Sequence, residues 1–269
     1  MLYLCATPIG NLEDMTFRAI RILREVDLIA AEDTRRTRKL LTHFDIHTPM
    51  IRFDENCSAT VAAKLLERLR AGESIAVVSD AGLPAISDPG ADLVRLAVDA
   101  GITVCPIPGA NAALSALICS GLDTSKFLFA GFPPKSTKNR REFLQGLATV
   151  EATLIFYEAP HRLKDFLTEL AEVFGERRAV LARELTKVHE EFLRGTLSGL
   201  LELIGEPRGE FVIVVEGKED VEPQEGDWRE FYQELLATGL DKKSAMREAA
   251  KRFNVSRREI YNTLLREEI

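Results

Sequence analysis

Cysteine, histidine and tryptophan are scarce, at 4, 4 and 1 in 269 residues. Cys5, Cys57, Cys105 and Cys119 show no CxxC spacing, and each stands among apolar or small residues, as a buried thiol does. That pattern offers neither a disulfide framework nor a zinc site, so no metal is expected. No apolar run approaches the roughly 18 residues of a membrane span, and Leu2–Ala6 lacks the basic flank and longer apolar core of a secretory signal. A cytoplasmic protein without membrane contact is the expectation. Positive charge is not in excess: 35 Lys and Arg against 42 Asp and Glu leave a net charge of −7. That balance argues against coating nucleic acid through a broad positive potential, and leaves room for a local basic patch. GxGxxG and GxxxxGK[ST] are both missing, which weakens a dinucleotide or nucleoside-triphosphate reading.

What remains is an ordinary globular composition, 46% hydrophobic and 29% charged, long enough for one large core or two medium ones. Short apolar runs at Leu2–Ala6, Leu28–Ala31, Met50–Phe53, Ile75–Ser79 and Thr103–Ile107 alternate with helical patterns at Thr16–Val26, Arg35–Phe44, Ser58–Ala71, Asp88–Ala100 and Ala110–Gly121. Such alternation predicts βα units around a mostly parallel sheet, a first domain over residues 1–121. A second domain is expected over 122–217. Its strands would be Phe127–Gly131, Thr153–Tyr157, Ala179–Leu185, Glu191–Arg194 and Phe211–Glu216, and its helices Asn139–Ala148, His161–Phe174 and Ser198–Ile204. The third and fourth of these strands are too close for a crossover helix, so they should pair antiparallel, making this sheet mixed. Residues 218–227 are charged and interrupted by Gly and Pro, as a linker is. The tail that follows has helical patterns at Trp228–Leu236, Lys242–Phe253 and Arg257–Glu267, the last opened by Ser256 and Glu259 in capping-box spacing. It fits a helix-turn-helix or a plain helical hairpin.

Gly and Pro gather at the predicted strand ends, where open α/β sheets bind ligands. Thr7-Pro-Ile-Gly-Asn11 can turn tightly and approach a ligand. The stretch from Asp80 to Gly90, DAGLPAISDPG, is too rich in Gly, Pro and Asp for a simple connection; Asp80 is placed for function, and Asp88 before Pro89 reads as a helix N-cap. Small residues after Pro108-Gly109 would let a flat ring come close. An apolar slot with backbone partners and one carboxylate suits a sulfonium cofactor.

TPIGN, EDTRRTRKLL (Glu32 to Leu41), VSDAGLPAISDPG, PGANAALSAL, FAGFPP (Phe129 to Pro134), FYEAPHRL (Phe156 to Leu163), RELTKVHEE (Arg183 to Glu191) and GEFVIVVEG (Gly209 to Gly217) occur in this order. Together they resemble the tetrapyrrole methylase superfamily and, within it, the bacterial 16S ribosomal RNA cytidine 2′-O-methyltransferases. The resemblance implies two α/β domains with a cofactor cleft between them and a small C-terminal helical module. It also implies an S-adenosylmethionine-dependent homodimer that needs no metal and acts on 16S rRNA of the small ribosomal subunit. Carried over by motif, Pro8, Asp80, Leu83, Ile86, Asn111, Ala112, Tyr157, Glu158 and Ala182 would contact the cofactor.

A ribose hydroxyl is a poor nucleophile, so alignment and removal of its proton must carry the catalysis. Glu184, Lys187 and Asp33 are the candidates, although Glu184 and Lys187 could equally form a plain salt bridge. Two basic groups could hold phosphates: Arg35, Arg36 and Arg38 with Lys39, and Lys135, Lys138, Arg140 and Arg141. His161 and Arg162, opening the following helix, join the RNA-facing set. Solvated helix faces are the plain alternative, but Arg35 and Arg36 at a helix start oppose its dipole. Two rivals share parts of this pattern: a methylase of small tetrapyrroles, with less use for EDTRR, and a non-enzymatic nucleic-acid regulator built on the tail.

Overall fold

The computed structural model describes residues 1–54, 58–218, 227–253, 255, 260–261 and 263–264. Contacts divide the chain into two units, Met1–Gly217 and Lys218–Ile269, each with a core of its own.

The first unit opens with a fully parallel five-stranded sheet of β1 (Leu2–Cys5), β2 (Leu28–Ala31), β3 (Met50–Arg52), β4 (Ile75–Val78) and β5 (Val104–Ile107), in the order β3-β2-β4-β1-β5. A parallel sheet needs cover on both faces, which is why β2 (LIAA) and β4 (IAVV) are unbroken apolar runs buried throughout. Alternation sends Ile29, Ala31, Ala76 and Val78 to one face, against Ala19, Ile22 and Leu23 of α1 (Phe17–Glu25) and Leu41 of α2 (Thr34–His43). Leu28, Ala30, Ile75 and Val77 meet Ala62, Leu65 and Leu69 of α3 (Ser58–Arg70) and Leu93 and Ala97 of α4 (Ala91–Asp99) on the other.

A second five-stranded sheet comprises β6 (Phe127–Gly131), β7 (Thr153–Glu158), β8 (Arg178–Arg183), β9 (Glu191–Thr196) and β10 (Phe211–Val215). Its order is β6-β7-β10-β8-β9. β6 and β7 run parallel, the other three pairings are antiparallel, and β8–β9 is the expected hairpin. One face packs on α6 (Thr137–Leu147), α7 (Pro160–Phe174) and α8 (Leu197–Leu203). The other, through Ile155, Val180, Ala182, Val212 and Val214, receives Ala113, Ala116 and Leu117 of α5 (Ala112–Ser120). Because α5 directly follows the last strand of the first sheet, this packing ties the two sheets together. The fold is therefore the expected mixed α/β arrangement with C-terminal helices.

Most element ends differ from the predicted ones by a residue or two, but one difference is substantive. α4 begins at Ala91, with Gly90 (φ 134°) before it and no side-chain cap, so Asp88 is not its N-cap. The Pro89 carbonyl accepts the Ala85 N–H at 3.2 Å, closing a turn where a first helical turn was expected.

In the second unit, α9 (Trp228–Ala237) and α10 (Lys242–Arg252) are capped by Asp227 and Asp241. Tyr232, Ala245, Ala249 and Ile260 form its core. Residues 260–261 and 263–264 are helical, while the Ser256/Glu259 capping box and most of the linker lie outside the described residues. No helix among the described residues is long and apolar enough to cross a membrane.

Candidate active site

A cavity of about 450 Å³ opens in the first unit, walled by the loops after β1, β2, β4 and β5 and by strands of the second sheet. Its position at the C-terminal ends of parallel strands follows from the open-sheet rule. The loop after β1 is pinned to the loop after β4: Thr7 N–H donates to the Gly82 carbonyl at 2.8 Å, and Gly82 N–H returns to Thr7 O at 3.0 Å. It is also pinned to the loop after β8, where Asn11 N–H donates to Thr186 Oγ1 at 3.1 Å. Two of these loops hold residues that are not glycine in the left-handed region, Ala85 (φ 68°) and Ser87 (φ 61°) in one, Glu184 (φ 50°) and Thr186 (φ 66°) in the other. Such conformations cost energy and persist where surrounding contacts fix them, commonly at functional sites.

The polar wall is a relay around Asp80. Its Oδ1 accepts the Asp33 N–H at 3.2 Å, its Oδ2 lies 3.1 Å from Arg36 Nη1, and its own N–H donates to Glu32 Oε2 at 3.1 Å. The facing wall is apolar or small: Leu83, Ile86, Ala112, Ala182 and Val212, with Asn111 and Tyr157 beside them. Asn111 is held as the N-cap of α5, its Oδ1 accepting the Leu114 N–H at 2.9 Å. The Tyr157 hydroxyl accepts the Ala113 N–H at 3.1 Å; burial pushes its pKa up, against that hydrogen bond. Glu158 is buried, its carboxylate accepting the Ala159 N–H and Arg162 Nη2, both at 2.7 Å.

Of the nine residues expected to touch a cofactor, the fold brings eight to this cavity: Asp80, Leu83, Ile86, Asn111, Ala112, Tyr157, Glu158 and Ala182. Pro8 is half-buried in the adjoining turn and does not line it. The three expected catalytic groups are also outside the wall. Asp33 is the N-cap of α2, and hydrogen bonds from the Arg35 side chain and N–H hold its carboxyl well below the usual range, which makes it a poor proton acceptor. Glu184 and Lys187 flank Leu185, which does line the cavity, and the Lys187 ammonium lies 3.0 Å from Glu184 and 2.8 Å from Glu210. Partial burial depresses the lysine, but its hydrogen bonds to Glu210 and Glu184 outweigh this and leave its pKa raised.

The RNA-facing set needs two corrections. Arg36 is not one of them: it lines the cavity and pairs with Asp80, yet its side chain stays 70% exposed. Arg140 is buried, its Nε and Nη2 on the Glu169 carboxylate at 2.7 and 2.5 Å, because α6 packs on α7 through that pair. Arg162 turns inward, to Glu158 and to the Pro133 carbonyl at 3.0 Å. Arg35, Arg38, Lys135, Lys138, Arg141 and His161 are exposed, Arg35 pairing with Asp33 and Arg141 with Glu172.

Sequence reasoning missed Glu32, Asp88, Phe132 and Glu210, all of which line the cavity. Glu32 and Asp88 stood inside motifs already singled out. Phe132 and Glu210 also stood inside quoted motifs, FAGFPP and GEFVIVVEG, but Glu210 reaches the site because β10 lies between β7 and β8, an order the motif does not carry.

A family model, Tetrapyrrole (Corrin/Porphyrin) Methylases, matches residues 1–201. A protein of Halalkalibacterium halodurans named ribosomal RNA small subunit methyltransferase I is 51% identical, over 97% of this chain and 93% of its own. The Bacillus subtilis protein of that name is 48% identical over the same shares, and the Synechocystis one 48% over 98% and 97%. Among solved structures, diphthine synthase superposes with a TM-score of 0.62 at 15% identity, covering 81% of this chain and 90% of its own. Uroporphyrin-III C-methyltransferase from Thermus thermophilus, complexed with S-adenosyl homocysteine, gives 0.56 at 18%, over 80% and 96%.

Proposed function

This chain belongs to the tetrapyrrole methylase family, and from that premise we propose that it is an S-adenosylmethionine-dependent methyltransferase acting on a cytidine ribose 2′-hydroxyl in the 16S rRNA of the small ribosomal subunit. The observation that carries the reading is one cavity holding eight motif-matched residues, in a chain whose relatives at 48–51% identity bear an rRNA methyltransferase name.

The lining suits the cofactor. Leu83, Ile86, Ala112 and Ala182 offer an apolar slot for a flat ring, and Asp80, with Glu32 and Arg36, offers charge of both signs for an amino-acid end. S-adenosylmethionine supplies a methyl group made electrophilic by a positive sulfur. The chain must then exclude water, hold the acceptor oxygen in line, and take its proton as the new carbon–oxygen bond forms. Glu210, which lines the cavity, is the group available to receive the proton, and Lys187, kept charged by Glu184 and Glu210, positions that carboxylate from just outside the wall. Exposed Arg35, Arg38, Lys135 and Lys138 hold phosphates of the RNA backbone. The protein works as a cytoplasmic homodimer on this reading, with exposed Leu114 and Ile118 of α5 available for burial between copies, and uses no metal.

The test is transfer of tritium from labelled S-adenosylmethionine to small subunits lacking the modification, beside naked 16S rRNA and a tetrapyrrole precursor. Label in the subunits supports the reading. Label confined to the tetrapyrrole keeps the cofactor and overturns the substrate.

A further inference from the structure

Phe132 is unusual among the residues lining the cavity: it is a large apolar side chain that is 60% exposed, so it stands at the opening. A single exposed phenylalanine is ordinary on a protein surface. This one is held in place from three sides. Gly131, at φ 67°, turns the chain out of β6 immediately before it. Pro133 and Pro134 fix the backbone immediately after it, and Arg162 Nη2 anchors that segment through the Pro133 carbonyl at 3.0 Å. The same nitrogen donates to buried Glu158 at 2.7 Å, so the anchor is itself fixed to β7. Finally, the Phe132 ring packs edge-to-face on Tyr157 at 5.3 Å between centroids, which leaves the rest of the ring open.

Three and six residues further on come Lys135 and Lys138, both exposed. A rigid aromatic followed closely by cations is the arrangement that holds a single-stranded nucleotide, with the base on the ring and the phosphates on the lysines. Resting on the function proposed above, we infer that Phe132 is the platform on which the base of the acceptor nucleotide stacks, turning its ribose toward the cavity. A duplex cannot present a ribose at the bottom of a cleft between two sheets, whereas an unstacked nucleotide can, and the lost base stacking is replaced on Phe132. Arg162 is a positioning residue in this account, acting through the Pro133 carbonyl.

Phe132→Ala and Phe132→Trp test it, assayed with hypomethylated small subunits and labelled S-adenosylmethionine. Because the ring is exposed, both variants keep the wild-type melting temperature. Phe132→Ala raises KM for the subunit by about 5- to 100-fold, the range for loss of one base–aromatic stack. Its calorimetric Kd for S-adenosylmethionine stays within about threefold of wild type, as a stacking loss confined to the RNA requires. Phe132→Trp restores the subunit KM because any flat ring serves. The inference is overturned if Phe132→Ala has the wild-type KM, if cofactor affinity falls in parallel with KM, or if Phe132→Trp is as impaired as Phe132→Ala. If the wild-type protein labels no RNA at all, the substrate itself has been misread and the platform falls with it; if it labels RNA and Phe132→Ala does so equally well, only the platform falls.

Discussion

Asp80 is the residue on which the cavity's charge balance turns, since it accepts the Asp33 N–H, pairs with Arg36 and is held in turn by Glu32. Asp80→Ala is expected to weaken S-adenosylmethionine binding about 10- to 100-fold, the loss of one hydrogen bond to a charged group, measured by calorimetry. An unchanged affinity would remove Asp80 from the cofactor wall. Titration is informative at Lys187 and Glu184. The lysine pKa is raised from its ordinary 10.5, so its contribution is complete below that value and is lost as pH rises through the raised one. The Glu184 pKa is lowered from 4.5, its hydrogen bonds outweighing partial burial, so its contribution is complete above 4.5 and is lost as pH falls through the lowered value. The urea-midpoint difference between wild type and Lys187→Met is therefore expected to be flat from about pH 5 to about pH 10 and to shrink outside that window. A difference that changes across neutral pH would contradict this pairing. At this scale the sequence was legible where one residue type has one strong reason to be present, as with Asp80 at a strand end. It misled where two readings share a pattern: Asp-Pro at 88–89 looks like a cap followed by a first helical turn, yet Pro89 closes a turn with Ala85. Nor did anything local say that Arg140 would find Glu169, 29 residues away, and be buried.

Among the elements, the contact between the loops after β1 and β8 matters most, because it joins the two sheets at the cavity. A Cβ on Gly10 would lie 2.5 Å from Lys187 Cγ, 3.0 Å from Thr186 Oγ1 and 3.1 Å from the Leu185 carbonyl. Gly10→Ala must push these apart and so misplace Lys187 and Leu185 together. Turnover on small subunits is expected to drop by about 10²-fold, the order of loss that a misplacement near 1 Å produces. The fold survives, because the displaced groups are in a surface loop, so the thermal unfolding profile is the control; full turnover would show that the loop contact is incidental. β and α segments were largely readable from period, since parallel strands buried on both faces give unbroken apolar runs such as IAVV. Strand order was not. β10 comes last in the first unit yet pairs with both β7 and β8, and a pairing that distant leaves no trace in neighbouring residues. Glu210 and Phe211 reach the cavity through that pairing.

For the molecule as a whole, a net charge of −7 has to be reconciled with an RNA substrate. The two agree when the positive field is confined to a few exposed cations, so affinity for small subunits should depend only modestly on salt. Lys135→Glu combined with Lys138→Glu should flatten the plot of log KM against log salt by about one unit for each phosphate contact removed. An unaltered slope would place the RNA elsewhere. Net charge alone could exclude nonspecific coating of nucleic acid, but it could not show which cations face outward, because Arg140 and Arg162 are tied up by partners only the fold supplies.

Transfer of the methyl group to a ribose oxygen of 16S rRNA is the decisive step. Its most direct test is alkaline hydrolysis of 16S rRNA labelled by this protein with tritiated S-adenosylmethionine on small subunits. A 2′-O-methyl group removes the hydroxyl that alkali uses to cleave the chain, so the account predicts that the tritium runs as an alkali-resistant dinucleotide with cytidine as its 5′ residue. Tritium recovered in mononucleotides would mean methylation of a base and would contradict it.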